Sequence, residues 1–343
     1  MEDNLQAEPS LLSEPPVYPA PQHSAFRGRF GLRAGWGMLT FFIGVFLFSL
    51  VSSMLAAAAL GLWKPFVAAQ HQHNPGFRFP VVPRVVIVED GFIFLGMLGV
   101  CWLLSKGEHR RLAVYGLGRS RLRDLLPGAF WGLATLSLLV FILHSLHLLV
   151  FDARLLSTSA AFVYGFKWLV AFLMVGLAEE YMLRGYLQYT LTRGVFGPGE
   201  STSPARARTI AFWIAAVLMS ILFGAGHLGN AHENPMGLVM VFVAGMVFSY
   251  ALWRTGSLWW AVGFHTAWDW AQSFLYGVPD SGQISVGRLF QTHPVGNRFL
   301  SGDIDGPEGS IYVVPVLLLV VVIIRYTTKP GAQPPLEPEP THE

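Results

Sequence analysis

Long apolar runs, separated by short polar or Gly/Pro-containing segments, set the pattern of the chain. They fall at about residues 38–62, 84–105, 125–150, from Ala160 past Glu179, 209–228, 236–253, 257–276 and 311–326. Each is close to the roughly 20 residues a helix needs to cross the hydrocarbon core of a bilayer. The apolar positions are continuous rather than alternating, so helices fit and barrel strands do not. The pattern therefore predicts an all-α polytopic membrane protein, with about eight transmembrane helices in one bundle. The second run, which carries Glu89 and Asp90, and the short eighth are the weakest of the set. No repeat relates the two halves, so an inverted-repeat transporter lacks its signature.

The ends break the pattern. Residues 1–33 open on a polar, Pro-rich stretch and 328–343 close on a Pro/Glu stretch, and both are expected to be disordered tails. The first apolar run begins near Met38, too far along for a simple secretory signal, so the N-terminal segment is expected to be retained. Between the tails the chain divides into N-terminal transmembrane helices (34–155), a segment at 156–277, a loop at 278–310 and a last helix at 311–327. Composition narrows the class. With 53% hydrophobic and 13% charged residues, the chain has too few charges to cover a water-facing surface. That excludes a disordered chain, a coiled coil and an ordinary soluble enzyme. A net charge of +2 without a basic run gives no reason to expect a nucleic-acid partner. The single cysteine, Cys101, has no partner for a disulfide or a thiolate metal site.

Basic residues alternate between successive loops. One set, from Arg27, Arg29 and Arg33 through the 106–123 loop, Arg193, Arg206, Arg208, Arg254, Arg325 and Lys329, numbers 15. The other set, Lys64, Arg78, Arg84, Arg154, Arg288 and Arg298, numbers 6. The positive-inside rule then places both termini in the cytoplasm, in agreement with an even number of spans.

Ionisable residues inside apolar runs are costly and tend to be functional. The fourth run reads Glu179-Glu180-Tyr181-Met182-Leu183-Arg184-Gly185. Glu180 and Arg184 are four apart and can pair on one helix face, while Glu179 is rotated by about 100° and stays free. The bland alternative ends the span at Ala178 and leaves all three charges in interfacial water. The fifth run ends Phe223-Gly224-Ala225-Gly226-His227, and the seventh carries His265 and Asp269 at helical spacing. An imidazole and a carboxylate at that spacing suit metal ligation or a histidine oriented by an aspartate. They equally suit a hydrogen-bonded pair that only holds the bundle together, and His227 alone suits a packing role. Glu179, His227, His265 and Asp269 would share one level only if the fifth helix starts outside the lipid or bends near Gly224 and Gly226.

The order Glu179-Glu180-x-x-x-Arg184, Phe223-x-x-x-His227 and His265-x-x-x-Asp269 resembles the three motifs of the CPBP family of intramembrane metalloproteases. That family includes CAAX prenyl proteases of the Rce1 type and Abi or bacteriocin-processing relatives. The resemblance covers about residues 160–277. Gly185, Ser220 and the turn at 254–259 also fit it. The last motif position is usually Asn in eukaryotic-type prenyl proteases and is Asp269 here. The resemblance implies that 156–277 is a catalytic core. It implies an endopeptidase acting on membrane-associated peptides or prenylated proteins, in a bacterial-type cell membrane. Glu179 would be the general base on water, and His227 would position that water or bind a metal. His265 and Asp269 would stabilise the oxyanion or complete a metal site, and Glu180 and Arg184 would fix the helix. A zinc ion on Glu179, His227 and His265 is one reading of the cofactor, and a metal-free site is the other. Different classes remain open beside the enzyme: a membrane scaffold or immunity factor, and a small-molecule transporter. Other intramembrane protease signatures are missing, since Met236 breaks the zinc motif begun by His232-Glu233.

Overall fold

Helices follow the apolar runs. The computed structural model of the chain describes residues 25–28, 30–59, 61, 81–196, 203–230 and 234–337. The first helices are α1 (Ala34–Ala59), α2 (Pro83–Gly107) and α3 (Leu125–Ser145). Helix α4 (Thr158–Glu180) passes through a π-helical stretch, Tyr181–Leu187, into α5 (Gln188–Phe196). Then come α6 (Pro204–His227) and α7 (Pro235–Thr255), and α8 (Trp259–Asp269), which runs into a second π-helix, Trp270–Tyr276. A short α9 (Arg298–Ser301) and α10 (Val313–Thr327) complete the set. Six of the described helical segments are long and apolar enough to cross a membrane, with α10 a shorter apolar helix of 15 residues. Of the eight spans expected, six are found at full length among the described residues and the eighth run gives the shorter α10; α8, on the seventh run, is not among the candidate spans. Phe46, Phe130, Phe162, Phe166 and Leu318 point outward, as a lipid-covered surface requires and a water-covered one does not.

The fold is all-α as expected, with two short two-stranded pairs beside the helices. The third run was expected to reach residue 150. The helix stops at Ser145, where His147 takes a left-handed φ of 56°. Leu149–Arg154 instead forms strand β3, paired antiparallel with β4 (Phe290–Pro294) and bulged between Phe151 and Ala153. Branched and aromatic Val150 and Phe151 favour the pleated surface. Near the start, Arg27–Gly28 and Gly31–Leu32 form β1 and β2, a two-stranded pair. Residues 1–24 of the expected N-terminal tail lie outside the described residues.

Two features position the helix that carries His265. Gly128 and Gly132 of α3 face α8, where a β-carbon would overlap the carbonyls of Trp260 and Phe264; Gly263 of α8 meets Leu125 in the same way. Small residues four apart let two backbones touch, the standard route to tight packing in lipid. At its start, α8 is fixed by the turn at 254–259. Gly256 ends α7 with a φ of 67°, and the Leu258 and Ser257 groups reach the carbonyl of Gly116. Start signals elsewhere are ordinary: Ser157 caps α4, and Asn234 with Pro235 opens α7.

The C-terminal stretch departs from expectation over its described part. Residues 328–337 do not project as a free tail but lie along the ends of α5, α6 and α7. Gly331 donates to the Arg254 carbonyl, Tyr189 to Pro335, Arg208 to Pro334 and Gln333 to Trp253, and Leu336 is buried. The side-chain donors satisfy backbone acceptors that Pro-rich chain cannot satisfy internally.

Candidate active site

The fourth helix does not end at Ala178. It runs through Glu179 and Glu180 without a break, and the π-helix begins at the next residue. Such stretches are rare and concentrate at functional sites; here one follows Glu180 and the other follows Asp269. Glu180 is wholly buried. Arg184 Nη1 donates to Glu180 Oε1 at 3.1 Å, and both side chains are shut off from solvent. The Arg184 guanidinium also lies over the Phe223 ring at 4.3 Å and nearer the edge of the Phe248 range at 5.6 Å. Cation–π contacts add to the ion pair in a desolvated setting, where a bare charge would be prohibitively costly.

Glu180 does more than hold Arg184. Its Oε1 also meets His265 Nδ1 at 3.2 Å, across two helices. The other ring nitrogen, Nε2, is 3.3 Å from Asp269 Oδ2 and 3.7 Å from Glu179 Oε2. The imidazole is therefore clamped from both sides and stacked on Phe248, with ring centroids 5.4 Å apart. The distance to Glu179 is beyond a hydrogen bond. Glu179, whose side chain is one-third exposed, is thus the free carboxylate of the pair. His227 Nδ1 donates to the Phe223 carbonyl at 2.9 Å, which leaves Nε2 as an acceptor. It makes no hydrogen bond to the other site residues.

One cavity of about 800 Å³ joins these groups: Glu179, His227, His265 and Asp269 all line it, with Glu180 and Arg184 behind. Helix α6 starts at Pro204, four residues before Arg208. The structure thus brings together five of the six sequence-derived residues directly in or against the clamp, and His227 on the wall beside it.

A zinc site on Glu179, His227 and His265 does not fit this arrangement. Among the described residues, no three His, Cys, Asp or Glu side chains are gathered to hold a metal ion. Both nitrogens of His265 are taken up by carboxylates, and His227 stands apart.

The sequence reading missed part of the lining. Glu89 and Asp90 of α2 reach the same cavity, although they figured in the sequence only as a weakness of the second span. Adjacent carboxylates in an apolar run carried the same signal as Glu179-Glu180. Ser273, Asp280 and Glu308 line the cavity at its loop end. Ser273 donates to Asp280 at 2.8 Å. Burial pushes the Asp280 carboxyl up to about 6, against the Ser273 hydrogen bond, and burial with Asp280 and Asp305 nearby holds Glu308 well above the usual carboxylate range. Nothing in local sequence periodicity could place loop residues there.

The structure is a polytopic helical bundle with a buried carboxylate–histidine cluster beside an internal cavity. Comparison with protein families makes this specific: residues 161–271 match the family described as type II CAAX prenyl endopeptidase Rce1-like. The match covers about a third of the chain. No curated protein and no solved structure matches the chain.

Proposed function

We propose that the protein is an intramembrane endopeptidase that hydrolyses membrane-associated peptides, CAAX-type prenylated or bacteriocin-like, with Glu179 as the general base. The observation that carries this reading is the division of labour within the carboxylate pair: Glu180 is locked to Arg184 and His265, while Glu179 is free on the cavity wall. The match of residues 161–271 to the type II CAAX prenyl endopeptidase family supports peptidase activity, and the apolar walls of the cavity suit a hydrophobic chain.

In this reading Glu179 takes a proton from a water molecule as the water oxygen attacks the scissile carbonyl carbon. The acceptor nitrogen of His227 helps to orient that water. His265 stays fixed through Nδ1 on Glu180, and its Nε2–H, beside Asp269 and Glu179, is shared between Asp269 and the developing oxyanion, so the ring has no reorientation left to undergo. When the C–N bond breaks, the proton on Glu179 passes to the leaving amine and the carboxylate is regenerated. Asp269 acts by holding His265, a task that an amide could share only in part, since it lacks the charge. No step is assigned to a metal, because His265 is held by Glu180 and Asp269 and His227 stands apart from the cluster. We also place the protein in a bacterial-type cell membrane with both termini in the cytoplasm, on the distribution of basic residues.

The test is cleavage of a quenched membrane-peptide substrate by purified protein and by Glu179→Ala. The variant should fold and lose at least about 10²-fold in rate, the usual worth of a positioned general base. Full activity in the variant would sink the mechanism. The same assay with a chelator addresses the cofactor: an unchanged rate supports the carboxylate–histidine site, and a loss restored by zinc replaces it with a metal site. Solute flux that depends on Glu179 without any cleavage would point to a transporter.

A further inference from the structure

The stretch after α10 is held at the end of the bundle in the way a receptor holds a peptide. Arg208 and the Tyr189 hydroxyl donate to the successive carbonyls of Pro334 and Pro335, and Arg110 donates to the carbonyl of Glu337. Between them Leu336 is buried in a cluster that includes Tyr115, Tyr189, Phe212 and Leu252. Proline-rich chain makes no internal hydrogen bonds and leaves its carbonyls open, so aromatic-lined grooves are a recurring way to bind it. Over residues 334–337 the groove reads three backbone carbonyls and one branched side chain. Any segment with two prolines followed by an aliphatic residue offers the same set.

The chain carries such a segment near its other end. Gln333-Pro334-Pro335-Leu336-Glu337-Pro338-Glu339-Pro340 and Glu14-Pro15-Pro16-Val17-Tyr18-Pro19-Ala20-Pro21 place four prolines and a branched aliphatic residue at the same spacing. We propose that the groove is a binding site for Pro-Pro-aliphatic peptide, and that residues 14–18 of the same chain are its second ligand, exchanging with 333–337. The Pro15 and Pro16 carbonyls then take the Arg208 and Tyr189 donors, Val17 fills the Leu336 seat, and the Tyr18 carbonyl meets Arg110. Charge favours this occupant: two of the three donors are arginines, and residues 1–25 contain Glu2, Asp3, Glu8 and Glu14 but no lysine or arginine. Reach favours it too. Arg110 donates at once to the Phe30 carbonyl at 2.6 Å and to the Glu337 carbonyl at 3.2 Å, so the β1–β2 pair adjoins the end of the bound stretch. Ala25 is five residues from Phe30 and Val17 is eight from Ala25; extended spans of roughly 17 and 27 Å let the chain turn back to the groove. One difference ranks the two ligands. Gln333 donates to the Trp253 carbonyl, and an ionised Glu14 has no donor to offer there. Valine also fills the leucine seat less completely. The C-terminal segment is therefore the stronger ligand, in agreement with its place in the structure. The seat backs onto a small cavity lined by Arg184 and Gln188, so its occupant packs behind the residue that holds Glu180.

The experiment places a photo-reactive phenylalanine analogue at Phe212 in the intact protein in detergent and identifies the cross-linked segment by mass spectrometry. The main product should be 333–337, with a minor product at 14–18. Leu336→Asp, which vacates the seat, should shift the ratio toward 14–18 by at least about tenfold, the worth of a buried leucine. Val17→Asp should abolish the 14–18 product. No 14–18 product in folded Leu336→Asp overturns the proposal, and so does a 14–18 product that Val17→Asp leaves unchanged. Mixing isotope-labelled with unlabelled protein identifies the donor chain: 14–18 products found only between labelled and unlabelled chains overturn the same-chain assignment in favour of a second copy. A synthetic peptide of residues 12–22 needs no Leu336 variant to fold. It should halve the 333–337 product at millimolar concentration, the order of a tethered segment's effective concentration, and the same peptide with Glu14→Gln should displace better. A 333–337 product that neither peptide reduces overturns the site.

Discussion

Glu179 and Glu180 are neighbours in the chain and opposites in role, because one helical step of about 100° separates their directions. Glu180 turns inward to Arg184 and His265, and Glu179 turns to the cavity. Asp280 shows the same dependence on surroundings, and it gives a prediction with a definite sign. Its ordinary value is 3.8, and burial raises it to about 6 in the folded protein. The groups that face it are Ser273, His265, His227, Glu179, Asp269 and, through the loop, Glu308. A carboxyl whose folded value is raised binds a proton on folding between the two values. Stability contributed by that proton is present below about pH 4 and is lost as pH rises through about 6. Asp280→Asn should therefore unfold at a higher temperature than the unaltered protein at pH 8, with the gain shrinking toward zero at pH 4. Thermal unfolding in detergent at both pH values checks this, and an equal gain at both would show that ionisation is not the cause. Residue chemistry was legible in the sequence wherever a charge interrupted an apolar helix, as at Glu179, Arg184 and Asp269. It was illegible at Asp280 and Glu308, which sit in a loop where charge is ordinary and only the folded chain reveals burial.

At the scale of elements, the site depends on how closely α8 can approach α3. The glycines at 128, 132 and 263 leave no room for a β-carbon at that contact. Overpacking a tight site costs about 1–3 kcal/mol when the backbone can yield, and here the obstacle is backbone itself. Gly132→Leu should lower the unfolding temperature and displace His265 and Asp269, cutting activity with little change in peptide binding by the apolar walls. Gly99→Ala on α2 is the matching control: nothing lies within 4 Å of its β-carbon position, so it should be neutral or stabilise by roughly 0.5 kcal/mol. If Gly132→Leu keeps full activity and stability, the close contact is not what sets the site. Apolar run length made six membrane helices legible. It overran at Leu149–Arg154, because a run of apolar residues does not distinguish the end of a helix from a β-prone strand. The two π-helices were illegible for a related reason: an i→i+5 pattern is imposed by packing around Arg184 and the loop end, not by local propensity.

The whole molecule is polarised. At one end, Arg193 and Arg110 pair with the buried Glu108 and donate to the Phe30 carbonyl, closing the β1–β2 pair onto α5. The stretch 328–337 ties more of the same end together: Arg110 reaches Glu337, Arg208 reaches Pro334, Arg121 reaches Lys329 and Arg254 reaches Thr328. Basic residues that the sequence assigned to one side by counting loops are thus physically gathered on one face. Arg154, Arg288 and Arg298 belong to the opposite end, with β3, β4 and the acidic loop. Positive charge is retained on the cytoplasmic side during insertion, so the gathered face should be cytoplasmic and the acidic mouth of the cavity should face away from it. Reporter fusions read this directly. A fluorescent-protein fusion after Gly199 should fluoresce and a phosphatase fusion there should be inactive, while a phosphatase fusion after Val295 should be active. The reverse pattern would place the acidic loop in the cytoplasm.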